Sequence, residues 1–339
     1  MSWFLFALIC LLGWGFADLF YKLGSDKDDR YSHLKIAVWV GIVMGVCALC
    51  LLPFTETVKS GNPAEFVSSI IKYSPASLCY IISMIIGYAG LRYIELSIVS
   101  PVQNASGALS AILMSIFFIA TASDPLSAIS DETGFTFSGA QGIEKVNNIL
   151  IAAGIAAIVI GVIMLAVVEQ RLSNAEKTLP KSERKYRFGA LALLFPISYC
   201  LFDTIGTAAD GIILDEESGL GFGEIDVLVL YGLTFMLAGI VAWIFLWIKN
   251  KKPYNPFAKT EKYKGIAAVC EEFGQIFYVY AMASKPVLAA PMVASYCIVS
   301  VILSRIFVKE KLKASQYACV ITVILGIVML GISEGIGEA

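Results

Sequence analysis

The stretch IVIGVIML, at Ile158–Leu165, occurs a second time with small changes as VILGIVML, at Val323–Leu330. A glutamate follows each copy at the same distance, as Glu169 and Glu334. Because both copies are continuously apolar, the repeat indicates a duplicated membrane-spanning unit. The fold class follows from this observation.

A second pair of matching stretches supports the duplication. Residues 101–117 return as 291–307, with identical residues that include Ser110 and Ser300. If each unit crosses the membrane an odd number of times, the second copy is inverted relative to the first. Inverted repeats are found chiefly in transporters.

The composition is that of an integral membrane protein. Hydrophobic residues make up 58% of the chain, charged residues only 15%, and the mean hydropathy is +0.77. A helix that crosses the bilayer needs about 20 apolar residues. Ten spans are predicted, near 2–23, 34–54, 76–95, 99–122, 149–168, 188–209, 226–248, 264–284, 287–308 and 314–333. The predicted fold is therefore all-α, with ten transmembrane helices arranged as two inverted five-helix repeats.

The distribution of basic residues between the loops predicts the orientation. The loops between the predicted spans are numbered in order from the N-terminus. Of the 25 Lys and Arg residues, all but Lys59, Lys72, Lys145 and Lys285 lie in or beside the odd-numbered loops. Positive loops face the cytoplasm. We therefore expect a multi-pass protein of the plasma (inner) membrane with both termini on the extracytoplasmic side.

The same pattern divides the chain. Residues 1–170 form the first predicted repeat, which includes an external acidic loop over 123–148. Residues 171–187 are polar and basic and are predicted to be a cytoplasmic linker. Residues 188–339 form the second predicted repeat.

Metal and cofactor chemistry find little support in the sequence. The eight cysteines all fall inside predicted spans without metal-ligand spacing, and His33 is the only histidine. We expect no cofactor and no metal. The net charge of −2 favours no nucleic-acid partner, so the expected partners are a small-molecule substrate and membrane lipids, with the chain a monomer or homodimer.

Ionisable residues inside spans are costly and indicate functional sites. Asp18, Asp203, Glu271 and Glu272 are such residues, whereas Asp210 is predicted to be solvated at a helix exit. Glu272 points away from Glu271 on the helical wheel and is expected at a solvated end.

Aromatic and amide side chains share a helix face with three of these acids. Trp14 lies four residues before Asp18, Tyr199 four before Asp203, and Gln275 four after Glu271. Polar residues also follow the matched prolines of the fourth and ninth spans. The predicted substrate-binding residues are Trp14, Asp18, Asn104, Tyr199, Asp203, Glu271, Gln275 and Tyr296.

Together these features resemble the drug/metabolite transporter superfamily, in its EamA-type ten-helix branch. The resemblance rests on Gly13-Trp14-Gly15 with Lys22 downstream, on Pro291 opening the ninth span, and on a Glu310-containing turn before the Gly326-bearing last helix. It covers essentially the whole chain. It implies a central pocket between the two halves and secondary transport of small metabolites or amphipathic compounds, without a prosthetic group.

The sequence departs from the family pattern in three places. A long acidic segment, Asp124–Asn148, replaces the short turn after the fourth helix, and Phe195-Pro196-Ile197 stands where Gly13-Trp14-Gly15 would recur. Members of this family are often drawn with both ends in the cytoplasm, whereas the charge distribution here places them outside.

The predicted function is secondary transport of a small metabolite or an amphipathic or cationic solute by alternating access. Coupling of this transport to protons is left open. Embedded acids outnumber the embedded Lys22, which favours a cation, an amine or a proton-coupled solute. An enzyme is not expected. Two alternatives stay open: an intramembrane enzyme that acts on a lipid, and a sensor or scaffold that does not transport.

Overall fold

The computed structural model describes residues 2–26, 28–93, 96–176, 194–215, 221–309 and 313–337. Within these ranges the chain forms helices and no strands. The α-helices of eight or more residues are α1 (Trp3–Gly24), α2 (Ser32–Leu51), α3 (Pro63–Gly90), α4 (Leu96–Gln103), α5 (Ser106–Thr121), α6 (Pro125–Thr133), α7 (Ile143–Glu176), α8 (Leu194–Leu214), α9 (Glu224–Asn250), α10 (Lys262–Ser284), α11 (Pro286–Ala294), α12 (Tyr296–Leu303) and α13 (Ala314–Gly337). Glu310 and residues 188–193 of the sixth predicted span lie outside the described ranges.

Nine segments of the described chain are long and apolar enough to cross a membrane. They match nine of the ten predicted spans and confirm an integral, multi-pass membrane protein. The span predicted over 264–284 is a helix of comparable length, α10, but it is not among the nine. Its hydropathy is lowered by Glu271, Glu272 and Gln275, whose side chains are buried inside the bundle and do not face lipid.

The predicted start of the third span, near residue 76, was wrong. Helix α3 begins at Pro63, where the Asn62 side chain accepts a hydrogen bond from the Ala64 N–H at 3.1 Å. The helix then continues through Pro75. Lys72 and Pro75 lower the local apolarity and mimic a boundary, but a capping asparagine followed by proline is the stronger helix-start signal.

The matched prolines lie within helices and not at their first residues. Pro101 is in α4 and Pro291 is in α11, and each helix is interrupted a few residues later. The first interruption falls at Asn104 and Ala105, and the second at Ser295. Proline removes a backbone donor and disturbs the turn around it, so these breaks have a local cause.

Four helix pairs make the most extensive contacts: α2 with α9, α1 with α10, α7 with α13, and α3 with α8. In the α7–α13 pair a Cβ added to Gly161 would meet Val323, and one added to Gly326 would meet Ile158. These residues occupy matching positions in the repeated stretch, so each copy makes the same contact on the other. Small residues permit such close helix approach in membranes.

The beginning of α1 and the end of α13 meet at one end of the bundle. The Trp3 indole N–H donates to Glu334 at 2.5 Å, and Ser333 donates to Asn147 at 2.6 Å. At the opposite end Lys35 and Lys264 both lie beside Glu261. The beginning of α1 and the end of α13 therefore lie on the same side of the bundle.

The segment predicted as an external acidic loop contains a helix, α6. Asp124 caps it by accepting from the Leu126 N–H at 3.2 Å, and Gly134 ends it with a φ of 68°. The Lys285 ammonium donates to the Asp131 carbonyl at 2.7 Å, which ties α6 to the junction of α10 and α11. The helix therefore covers this end of the bundle.

Glu132 on α6 is expected to make the folding stability of the protein depend on pH. Burial, together with the nearby Asp215 carboxylate, raises the pKa of Glu132 to about 7 against the opposing charge of Lys285. A raised pKa means that the folded state holds the proton more tightly than the unfolded chain does. Stability is then highest below the unfolded value near 4.5 and falls as the pH rises through about 7.

We expect the Glu132→Gln variant to lose this pH dependence. At about 1.4 kcal/mol per pKa unit the effect is at most about 3 kcal/mol, and the partial exposure of the side chain reduces it. The measurement is thermal unfolding of the purified protein across that pH range. The matched control is Glu144→Gln, an exposed acid in the same segment. If the stability of Glu132→Gln depends on pH as strongly as that of the wild type, Glu132 is not the group responsible.

Candidate functional site

A narrow cavity lies in the middle of the bundle. Residues from α1, α3, α8, α9, α10 and α11 line it, together with residues at the α4–α5 and α11–α12 breaks. The structure brings all eight sequence-predicted residues to this one cavity: Trp14, Asp18, Asn104, Tyr199, Asp203, Glu271, Gln275 and Tyr296.

Asp18 on α1 is held by two serines from different helices. Its carboxylate accepts from the Ser100 hydroxyl at 2.5 Å and from the Ser300 hydroxyl at 2.7 Å. Ser300 is one of the serines matched between the repeats. The nearby Asn104 amide donates to the Ser100 carbonyl at 2.7 Å, so the broken fourth span positions this acid.

Asp203 on α8 has a comparable environment. Its carboxylate accepts from the Ser106 hydroxyl at 2.6 Å, at the first residue of α5. Ser110, the repeat mate of Ser300, donates to the backbone carbonyl of Thr204 at 3.1 Å, and Thr204 follows Asp203 on α8. Ser110 thus contacts α8, whereas its repeat mate Ser300 contacts α1.

Glu271 on α10 accepts hydrogen bonds from two phenols, Tyr21 and Tyr88, the latter at 3.2 Å. Its backbone carbonyl also accepts from the Trp14 indole N–H at 3.1 Å. One turn farther along, the Gln275 amide nitrogen is buried without a hydrogen-bond partner. Gln275 therefore offers a free donor to a solute in the cavity.

Aromatic rings form most of the remaining wall. Trp14 stacks on Tyr278 with ring centroids 5.1 Å apart and meets Tyr296 edge-on at 5.6 Å. The absence of a side chain at Gly274 admits the indole, since a Cβ there would lie only 2.3 Å from the Trp14 Cδ1 atom. The Gly13-Trp14-Gly15 run thus places its tryptophan against a glycine of α10.

The charge of the cavity wall has one sign. Its lining includes the carboxyl groups of Asp18, Asp203 and Glu271, and no Lys or Arg is among the described lining residues. Lys22 instead donates to the Leu91 carbonyl at 2.8 Å. Phenols and serine hydroxyls donate to the carboxylates, and the aromatic faces are themselves attractive to cations.

Two predictions of solvated acids were wrong. Asp210 is fully buried and accepts from the Tyr73 hydroxyl at 2.9 Å. Glu272 is only 9% exposed and lies beside Cys47 of α2. Both lie near predicted helix ends, but the neighbouring helices cover those ends, which the sequence of one helix does not reveal.

Five tyrosines of the cavity wall are not among the eight predicted residues: Tyr21, Tyr80, Tyr88, Tyr231 and Tyr278. A signal for Tyr80 and Tyr88 was present, because Tyr73, Tyr80 and Tyr88 recur at spacings of seven and eight along α3. Such spacing places them on one helix face. Tyr231 lies in an otherwise apolar stretch and has no comparable local signal.

Comparison with known proteins supports the resemblance. Residues 218–332 match the model of the EamA-like transporter family. No curated protein sequence matches the chain. A solved crystal structure, described only as that of a protein, aligns with a TM-score of 0.55 at 10% sequence identity, over 97% of this chain and 96% of the other. That likeness concerns the fold alone. Over residues 218–332, this membrane protein is therefore similar to the EamA-like transporter family.

Proposed function

We propose that the protein is a secondary transporter that moves a small, cationic, amphipathic solute by alternating access. The observation that carries the proposal is the cavity wall, which combines carboxyl groups with aromatic faces and contains no described basic residue. A cation inside a membrane protein needs both a counter-charge and a substitute for its hydration shell. Carboxylates supply the first, and aromatic faces with hydroxyl groups supply part of the second.

The proposed mechanism depends on two halves related by a pseudo-two-fold axis in the membrane plane. In this proposal α10 is the eighth crossing, so each half has five and the second half is inverted. The reciprocal contacts of Gly161 and Gly326 support this relation, because a single two-fold rotation would exchange the two contacts. The crosswise bonds of Ser110 to α8 and of Ser300 to α1 support it as well.

The halves would be residues 1–170 and 188–339, joined by the basic segment 171–187. Helix α7 continues to Glu176, so the first residues of that segment are helical and the remainder lies outside the described ranges. The proposed location is the inner membrane, with the basic loops in the cytoplasm and both termini outside. The contact between Trp3 and Glu334 agrees with termini on one side.

Counterflow in proteoliposomes tests the proposal. The probe is radiolabelled methylphenylpyridinium, a permanently charged aromatic cation, with the membrane potential clamped. We expect saturable exchange by the wild type and at least a tenfold loss for Asp203→Asn, about 1.4 kcal/mol, because the amide keeps the side-chain size but removes the counter-charge. Asparagine can still accept from Ser106.

The matched control is Asp226→Asn. Asp226 is a buried acid of α9 away from the cavity, where its carboxylate accepts from the Thr57 hydroxyl at 2.9 Å. We expect this variant to keep its counterflow. If Asp203→Asn exchanges the probe as fast as the wild type, the cationic assignment of the cavity is wrong. If no solute of any charge undergoes counterflow, the transporter proposal itself fails.

A further inference from the structure

Asp210 is a buried acid that the solute cavity does not use. Its side chain is 0% exposed, and it is not among the residues that line the cavity. The Tyr73 hydroxyl donates to Oδ1 at 2.9 Å, whereas Oδ2 is buried with no hydrogen-bond partner. No Lys or Arg in the described part of the chain forms an ion pair with it.

The groups around Asp210 are neutral donors and apolar side chains. The hydroxyls of Tyr73 and Tyr80 from α3 and of Tyr278 from α10 face the carboxyl, Tyr231 lies nearby on α9, and the nearest acid on α8 toward the cavity is Asp203. Around the adjacent Gly211, α5, α10 and α11 contribute Met114, Met282 and Pro286. On the outer side, Asp215 lies beside Glu132 and Lys285.

This environment suits a carboxyl group that binds a proton. An ionised carboxylate needs several donors or a nearby cation to remain buried. Here the Tyr73 hydroxyl donates to Oδ1, whereas the Tyr80 and Tyr278 hydroxyls face the carboxyl but form no hydrogen bond with Oδ2. A bound proton removes the charge, so the smallest cation satisfies the site without the shell of oxygen ligands that a metal ion requires.

A line of hydroxyl groups connects this acid with the cavity. The Tyr80 and Tyr278 hydroxyls are hydrogen-bonded at 2.7 Å, and Tyr80 also donates to the Thr207 hydroxyl at 3.2 Å. Thr207, Tyr80 and Tyr278 all line the cavity. Asp203, Thr207 and Asp210 lie at intervals of four and three on α8 and therefore share one face.

We propose that Asp210 is a proton-binding site separate from the solute-binding acids, and that the hydroxyl groups of Thr207, Tyr80 and Tyr278 couple its occupancy to the cavity. This inference rests on the proposed transport function. On binding, hydronium gives one proton to a carboxylate oxygen and leaves as water. On release from the other side of the membrane, the same O–H bond breaks and water accepts the proton.

Infrared spectroscopy tests the site without a solute. The full-length protein in liposomes is titrated from acidic to alkaline pH, and the loss of the protonated-carboxyl C=O band is recorded. We expect Asp210→Asn to remove one component of this band and Asp226→Asn to leave that component in place. An unchanged titration in Asp210→Asn overturns the proposal. So does a band that sodium ions abolish at constant pH, which indicates a metal-cation site.

A second variant keeps the proposal testable if Asp210→Asn does not fold. Tyr73→Phe removes the one donor to Oδ1 but keeps the ring, so we expect the Asp210 component to change frequency and to persist. If that component is insensitive to Tyr73→Phe, its assignment to Asp210 is wrong.

Transport then tests the coupling. An imposed pH gradient should drive accumulation of methylphenylpyridinium by the wild type, and Asp210→Asn should reduce that accumulation at least tenfold while counterflow continues. Gradient-driven accumulation by Asp210→Asn at the wild-type level overturns the coupling role. If the wild type shows no counterflow of any solute, the transport function fails, and the infrared result alone decides whether Asp210 binds a proton.

Discussion

Replacing Glu261 with glutamine is expected to lower the free energy of unfolding by about 3 kcal/mol, because it leaves a buried ammonium without its carboxylate partner. The Lys264 ammonium lies 2.6 Å from the Glu261 carboxylate, and their side chains are only 6% and 10% exposed. Tyr254 also donates to Glu261 at 3.0 Å, and Lys35 lies 3.9 Å away. The pair thus connects the start of α10 to the loop before it and to α2.

The chain offers a matched control for this prediction. Lys59 and Glu56 form an ion pair with the same 2.6 Å separation and the same three-residue spacing, but their side chains are 52% and 77% exposed. Water screens such a pair, so Glu56→Gln should cost less than about 1 kcal/mol. Unfolding in mixed detergent micelles, followed by tryptophan fluorescence, measures both variants. Equal losses would show that burial does not decide the strength of the Glu261 pair.

Replacing Gly41 with leucine is expected to destabilise the protein by about 3 kcal/mol or to prevent its folding. Gly41 lies where α2 crosses α9, and a Cβ there would lie 2.7 Å from the Phe235 carbonyl oxygen and 2.8 Å from the Gly239 Cα atom. Both are backbone atoms, which cannot move aside as a flexible side chain can. The two helices would have to separate, and their close packing would be lost.

Gly335→Leu is the control for Gly41→Leu. Gly335 also lies in a helix, α13, but nothing lies within 4 Å of a Cβ built there. Leucine favours helix over glycine by roughly 1 kcal/mol, so this variant should be as stable as the wild type or slightly more stable. The same unfolding assay compares the two. A tolerated Gly41→Leu would mean that α2 and α9 do not meet at this glycine.

The positions of the apolar spans could be predicted because hydropathy is a property of each segment by itself. Residues 158–165 and 323–330 lie in α7 and α13, as their continuous apolarity predicts. The prediction was least accurate where polar residues interrupt a helix. At α3 the start was placed thirteen residues too late, and at α10 three polar side chains lower the hydropathy of a helix that packs inside the bundle.

The acid-bearing faces could also be predicted from the sequence by itself. An interval of four residues puts Tyr199 beside Asp203 and Glu271 beside Gln275 on any α-helix, whatever surrounds it. The sequence therefore determined which helices carry polar faces and which residues share each face.

Only the tertiary structure decided which of those faces meet and which acids are covered. Asp18 finds Ser100 and Ser300, which are 82 and 282 residues away in sequence. Asp210, expected in solvent, is enclosed by tyrosines of α3 and α10. The physical reason is that the burial of a side chain and its hydrogen-bond partners depend on neighbouring helices, whereas helical periodicity depends only on the chain itself.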